Sequence, residues 1–213
     1  IFRGTKGLPL VWCSGQNIDR LVTIFKAAKR SGRQFIVDMY TAHILRATGN
    51  SHIPQADWKE MRVYLPVFQK ARIKRQRDFA LAKEYSRFRI YPEKLAEVAG
   101  HSVMLFRPTM RIDVERANCL EGACCVYSMW DGYLETEDNK EFLAWLDRHG
   151  IPLHKCHTSG HASVRDLKRL RKAFGSALVV PVHCAEPESF AESFAGAARH
   201  EDDEWWTVAQ QEH

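Results

Sequence analysis

The densest run of side chains able to move protons or hold anions is His154-Lys155-Cys156-His157-Thr158-Ser159-Gly160-His161. It follows an apolar segment, Ile151 to Leu153, expected as a strand, and precedes a helix expected to start near Ser163. Open α/β sheets place their sites at the carboxyl ends of strands. Ser159 and Gly160 would stand just before a helix N-terminus, whose free N–H groups and positive dipole end suit a phosphate. His161 beside them could donate a hydrogen bond or a proton. The spacing therefore fits phosphoryl chemistry. A plainer reading stands next to it, in which these histidines serve as caps and surface groups.

A second candidate lies downstream, where Val179-Val180-Pro181-Val182 runs straight into His183. An imidazole at the end of a buried strand has a fixed orientation and makes a good metal ligand. One histidine does not hold a catalytic zinc, which usually takes about three protein ligands. The chain contains no HxH, HExxH or HxHxDH pattern.

Other polar positions carry weaker signals. Gly15, Gln16, Asn17 and Arg20 fall on a strand-to-helix turn able to meet a phosphate, but neither GxGxxG nor a P-loop lysine is present. Asp38 ends an apolar run and is expected to cap the helix that follows. Lys70, Arg72, Lys74, Arg75 and Arg77 could track an RNA backbone, although a solvated helix face explains them more simply. Arg165, Lys168, Arg169, Arg171 and Lys172 read as an exposed face first and a substrate funnel second. Trp205 and Trp206 could stack on bases, yet packing as a closing strand accounts for them as well.

The elements that must position these groups alternate between two periods. Leu8 to Cys13 reads as a strand; Ile18, Leu21, Val22 and Phe25 follow at helical spacing, and Phe35 to Val37 is the next strand. Strand, turn, helix, turn, strand is a parallel β-α-β unit. The pattern returns with a strand at Cys124 to Tyr127, a helix over 138–148 and the strand at Ile151 to Leu153. Ser163, with Asp166 three residues on, opens a helix whose buried stripe is Val164, Leu167, Leu170 and Phe174 and which Gly175 ends. Ala177 to Val182 is expected as a strand buried on both faces. Residues 50–100, punctuated by Pro54, Pro66 and Pro92 and rich in charge, read as a helical insertion packed on the sheet. The fold class is thus α/β, with a parallel sheet and helical decoration.

Composition allows a substantial core: 213 residues, 45% hydrophobic and 27% charged. The net charge of +5 favours polyanionic partners only mildly. No run approaches the roughly 20 apolar residues that span a bilayer, so no membrane partner is expected. Six cysteines without a CxxC or framework spacing read as reduced, mostly buried thiols of a cytoplasmic protein. The first residue is Ile1, not methionine, and the gene is expected to begin upstream.

Two stretches carry a family resemblance. His157-Thr158-Ser159-Gly160-His161-Ala162-Ser163 resembles the second β-CASP motif of ribonuclease J-type enzymes, and Pro181-Val182-His183 resembles the third, at similar separation. Cys13-Ser14-Gly15-Gln16-Asn17-Ile18-Asp19-Arg20 is similar to the turn that opens the β-CASP domain, and Tyr127-Ser128-Met129-Trp130 to a strand end in the same group. The chain therefore resembles the C-terminal part of a β-CASP metallo-β-lactamase-fold hydrolase, least so from about residue 50 to 110.

The resemblance implies a β-CASP cap over residues 1–155, with 156–213 returning to the metallo-β-lactamase αββα fold. It implies hydrolysis of a phosphodiester in RNA by metal-activated water, with two zinc ions in the full-length parent. His183 would be a zinc ligand, and His161 the catalytic contact to the scissile phosphate. Ser159, Gly160 and His157 would line the phosphate pocket, and Gln16, Asn17 and Arg20 are candidate RNA contacts. The family's HxHxDH motif, further His and Asp ligands and the first β-CASP motif precede the point where Ile1 stands, so this chain alone is expected to assemble no metal site and to be inactive. Cys184 replaces the glycine that follows the motif histidine in ribonuclease J proper, which leaves the subfamily and substrate open. A non-catalytic nucleic-acid-binding or assembly module, a hydrolase of a small phosphoester, and a homo-oligomer are the alternatives carried forward.

Overall fold

The structure, a computed structural model, describes residues 1–157, 162–175, 177–182, 184, 187–194, 196–201 and 203–207. It divides into two compact units, residues 1–158 and 159–213.

The first unit is an α/β layer structure around a seven-stranded, all-parallel sheet. In chain order its elements are β1 (Pro9–Trp12), α1 (Ile18–Arg30), β2 (Gln34–Asp38), α2 (Met39–Ala47), β3 (Met61–Tyr64), α3 (Val67–Gln76), α4 (Phe79–Glu84), β4 (Arg89–Ile90), α5 (Pro92–Val98), β5 (Ser102–Phe106), α6 (Arg111–Arg116), β6 (Cys124–Tyr127), α7 (Glu137–Arg148) and β7 (Leu153–Lys155). Across the sheet the order is β4-β3-β2-β5-β1-β6-β7.

Strand periodicity sends alternate side chains into two cores. Val11, Val37, Val63 and Leu105 meet the apolar stripe of α1 (Leu21, Ile24, Phe25, Ala28) and that of α2 (Met39, Ala42, Leu45) on one face. Leu10, Trp12, Met104, Phe106, Cys125 and Tyr127 meet Leu95 of α5, Val114 of α6 and Phe142, Trp145 and Leu146 of α7 on the other. Because both faces are covered, the central strands read as unbroken apolar runs. Asp38 caps α2 as expected, while Asn17 caps α1 and Gly150 turns the chain after α7 with φ 62°.

Three expectations need correction. Residues 50–100 are not only helical, since they supply β3 and β4 beside β2. Met61, Val63 and Tyr64 are buried, and Arg62 between them turns its guanidinium to the carbonyls of Lys59 at 2.9 Å and Met61 at 2.6 Å, so a charge sits within a strand. A strand at Ser102–Phe106, absent from the sequence reading, lies between β2 and β1 with all five residues buried.

The third correction concerns the second unit. It contains α8 (Val164–Ala173), capped by Ser163 whose Oγ accepts from the Asp166 N–H at 3.2 Å, and α9 (Pro187–Ser193). Ala177 to Val182 is not a buried strand: among the described residues it pairs through a bridge from Val179 to Ala197, and Val182 is 74% exposed. In the stripe of α8, Val164, Leu170 and Phe174 are likewise exposed. Leu167, Leu170 and Phe174 border an opening of about 340 Å³ together with Leu178, Phe190 and Phe194, so the stripe is only partly covered, and a strand without neighbours leaves its N–H and C=O groups to water. Trp205 and Trp206 lie in no strand; Trp205 is exposed, and Trp206 stacks on His200 at 4.4 Å.

All six cysteines are free; Cys13, Cys119, Cys124 and Cys125 are buried and Cys156 is exposed. Burial pushes the thiols of Cys13, Cys119 and Cys125 up from 9.0 to about 12. The unfolded chain therefore loses these protons first, so stability from neutral burial is intact below pH 9 and falls as pH rises from 9.0 toward 12. Urea denaturation at pH 7 and pH 10 should show a lower midpoint at the higher pH. Substituting the three by alanine or serine should reduce that difference; an unchanged difference would refute the assignment. No helix of the described residues is long and apolar enough to cross a membrane.

Candidate functional site at the carboxyl edge of the sheet

The strand order creates a crevice. From β1 the chain crosses to β2 through α1 on one face, whereas from β5 it crosses to β6 through α6 on the other. β1 and β5 are neighbours, so the loops after them diverge, and open α/β sheets bind ligands at such switch points. Here the opening measures about 700 Å³ and is bounded by the loop after β1 (Cys13–Gln16), Tyr40 of α2, the loop after β5 (Arg107–Thr109) and residues of α7.

Its floor is organised by a buried carboxylate. Asp38 is fully buried at the end of β2; its Oδ1 accepts from the Thr41 N–H at 3.0 Å and from Gln69 Nε2 at 2.8 Å. Its Oδ2 accepts from Thr41 Oγ1 at 3.1 Å and pairs with the Arg107 guanidinium, which also donates to Thr41 Oγ1 at 3.2 Å. A buried charge persists only when paired and hydrogen bonded in this way. Asp38 is therefore more than the helix cap expected from sequence.

Arg107 in turn shapes the rim. Its guanidinium carbon lies 5.8 Å from the Tyr40 ring centroid, and a Cβ added to Gly15 would fall 2.4 Å from its NH2 and 2.5 Å from Thr41 Oγ1. Any side chain at position 15 would have to displace the guanidinium or the Thr41 hydroxyl from the Asp38 carboxylate. Gln16 Nε2 donates to the Tyr40 hydroxyl at 2.5 Å, which ties that loop to α2. On the far wall Arg111 pairs with Glu141 at 3.0 Å.

The sequence candidates are distributed unevenly over this edge. Gln16 lines the crevice. Asn17 spends its Oδ1 on the Arg20 N–H at 3.0 Å, as the α1 cap. Arg20 lines a separate cavity of about 420 Å³, mostly apolar, between α1 and β6. His157 is exposed where the chain leaves β7 at the carboxyl edge; Cys156 before it donates its N–H to the Tyr127 carbonyl at 2.8 Å and accepts Ser128 Oγ at 2.6 Å. The basic residues of α3 are mostly exposed, as a solvated face would be.

Ser159, Gly160, His161 and His183 lie outside the described residues. Among the described residues, no group of three or more His, Cys, Asp and Glu side chains is placed to hold a metal ion. Tyr40, Arg107 and Arg111 were not singled out from sequence. The available signal was a polar residue directly after an apolar strand: Arg107 stands to β5 as Asp38 stands to β2.

No protein-family model matches the chain, and no curated protein matches it. Among solved structures it is similar to a protein of unknown function from Enterococcus faecalis V583, at 16% identity and a TM-score of 0.61 over 92% of this chain. The likeness is one of fold, and this chain spans 40% of that neighbour's length.

Proposed function

We propose that this chain is part of a metal-dependent phosphodiester hydrolase acting on RNA. The observation that carries the reading is the position of the histidine-rich segment. His157, two residues after β7, leaves the sheet at the carboxyl edge, the same edge that opens the switch-point crevice. The order of the two motifs, His157 to Ser163 followed by Pro181-Val182-His183, supports it from the sequence.

In this reading His161, with Ser159 and Gly160, meets the scissile phosphate, and His183 is one of the zinc ligands. Zinc, when bound, supplies an activated water and neutralises charge on the phosphate oxygens. This chain's share is to orient the phosphate beside a hydrogen-bond donor, the kind of preorganised contact that stabilises developing negative charge.

The test is zinc content and cleavage of RNA, single-stranded DNA and a generic phosphodiester by the full-length gene product, with His161→Ala and His183→Ala versions in parallel. Zinc binding with preferred RNA cleavage, impaired by both substitutions, is the expected result. A protein that holds no metal and cleaves none of the three would replace this reading with a nucleic-acid-binding module. Preference for the generic diester would replace it with a small-phosphoester hydrolase.

A further inference from the structure

The crevice contains an aromatic ring held in place by a relay that starts in the core. Fully buried Asp38 fixes Arg107, and the Arg107 guanidinium supports the Tyr40 ring at 5.8 Å. Gln16 secures the Tyr40 hydroxyl at 2.5 Å. Yet the ring is 37% exposed and lines an opening of about 700 Å³. A large side chain restrained at its tip and supported by a guanidinium, while still open to solvent, has the properties of a stacking platform: its contact area costs little ordering entropy.

The remaining lining suits what is attached to a stacked base. Arg111 faces the same opening, and its partner Glu141 is 67% exposed. Exposed ion pairs of this kind contribute little, so a phosphate can take the place of the carboxylate at small cost. The Ser14 hydroxyl and the amide oxygens of Gln16 and Asn139, whose nitrogens donate to the Tyr40 hydroxyl at 2.5 Å and the Tyr133 carbonyl at 2.6 Å, add acceptors for polar edges. The volume lies within the range of small-ligand sites, roughly 300 to 1,000 Å³.

We infer that this crevice is a subsite for one nucleotide of a single-stranded nucleic acid, with the base stacked on Tyr40 and a phosphate on Arg111. The inference deepens the nuclease reading by giving the substrate strand a holding point on the sheet edge. It is tested without metal or cleavage, so the two can fail separately.

The experiment is fluorescence anisotropy of labelled single-stranded oligouridylate and oligoadenylate with the 213-residue chain, at low and moderate salt, with a duplex of the same length as control. Tyr40→Leu should weaken single-strand binding about ten-fold, the loss of one stacked base, with the fold checked by circular dichroism. Tyr40→Phe, which keeps the ring but frees it from Gln16, should lose less than Tyr40→Leu, and Arg111→Gln should flatten the salt dependence by about one phosphate contact. Tyr91→Leu, at an exposed ring that follows β4, is backed by the Arg89 guanidinium at 4.8 Å and lies outside the crevice, should change nothing. Absence of single-strand binding, equal affinity for the duplex, or equal losses from Tyr40→Leu and Tyr91→Leu would overturn the subsite. RNA cleavage by the full-length protein that depends on His161 but is indifferent to Tyr40→Leu in KM would overturn the subsite and leave the nuclease reading standing. Strand binding that depends on Tyr40 in a protein that never cleaves would do the reverse.

Discussion

Asp38→Ala should destabilise the first unit by about 3 to 5 kcal/mol, measured as a drop in the urea midpoint at neutral pH. The carboxylate is fully buried and receives the Thr41 N–H and hydroxyl, the Gln69 amide and the Arg107 guanidinium. Alanine removes the α2 cap, worth about 1 kcal/mol. It also leaves the Gln69 N–H and the Arg107 charge without their acceptor. The arginine side chain is 23% exposed, so water recovers part of its loss. Asp38→Asn keeps a capping oxygen but not the charge and should cost about half as much. The pair explanation makes a further demand: Arg107→Met in the Asp38→Ala background should cost less than Arg107→Met alone. Strict additivity would show that Asp38 acts only as a cap.

Phe142→Ala should cost a similar amount, about 3 to 5 kcal/mol, by transfer loss plus the cavity it leaves. The ring is fully buried on α7 and meets Trp12 edge-on at 4.9 Å, Phe106 at 5.8 Å and Trp145 at 5.7 Å. This cluster ties α7 to the ends of β1 and β5. Because Trp12 from the sheet and Asp138, Asn139 and Glu141 from α7 line the crevice, loosening the cluster should also lower the strand affinity tested through Tyr40. Phe142→Leu, which refills most of the volume, should cost less than about 1.5 kcal/mol. A loss below that figure for alanine would mean that the cluster collapses to fill the space. Tryptophan emission then provides an independent reading, since a retained cavity alters the surroundings of Trp12 and Trp145.

The two substitutions probe parts of the structure that differ in how far the chain announces them. Phe142 belongs to a helix legible from its spacing, with Phe142, Leu143 and Leu146 on an amphipathic period between two apolar runs. Its partners Trp12 and Phe106 lie 130 and 36 positions away, and nothing local names them. Asp38 was legible as a cap because a cap is a contact across three residues, to the Thr41 N–H. Its bond to Arg107 spans 69 residues and exists only because β2 pairs with β5.

By itself the sequence determined the α/β class, the β1-α1-β2 and β6-α7-β7 units and the capping residues Asp38 and Ser163, because hydrophobic period and side-chain-to-backbone bonds act within a few residues. Tertiary structure alone decided that β5 inserts between β2 and β1, that β3 and β4 extend the sheet where charge had suggested only helices, and that Gly15, Tyr40 and Arg107 share one crevice. Strand order is set by burying both sheet faces at once with crossovers on opposite sides, a condition on the whole chain that no short window of residues contains.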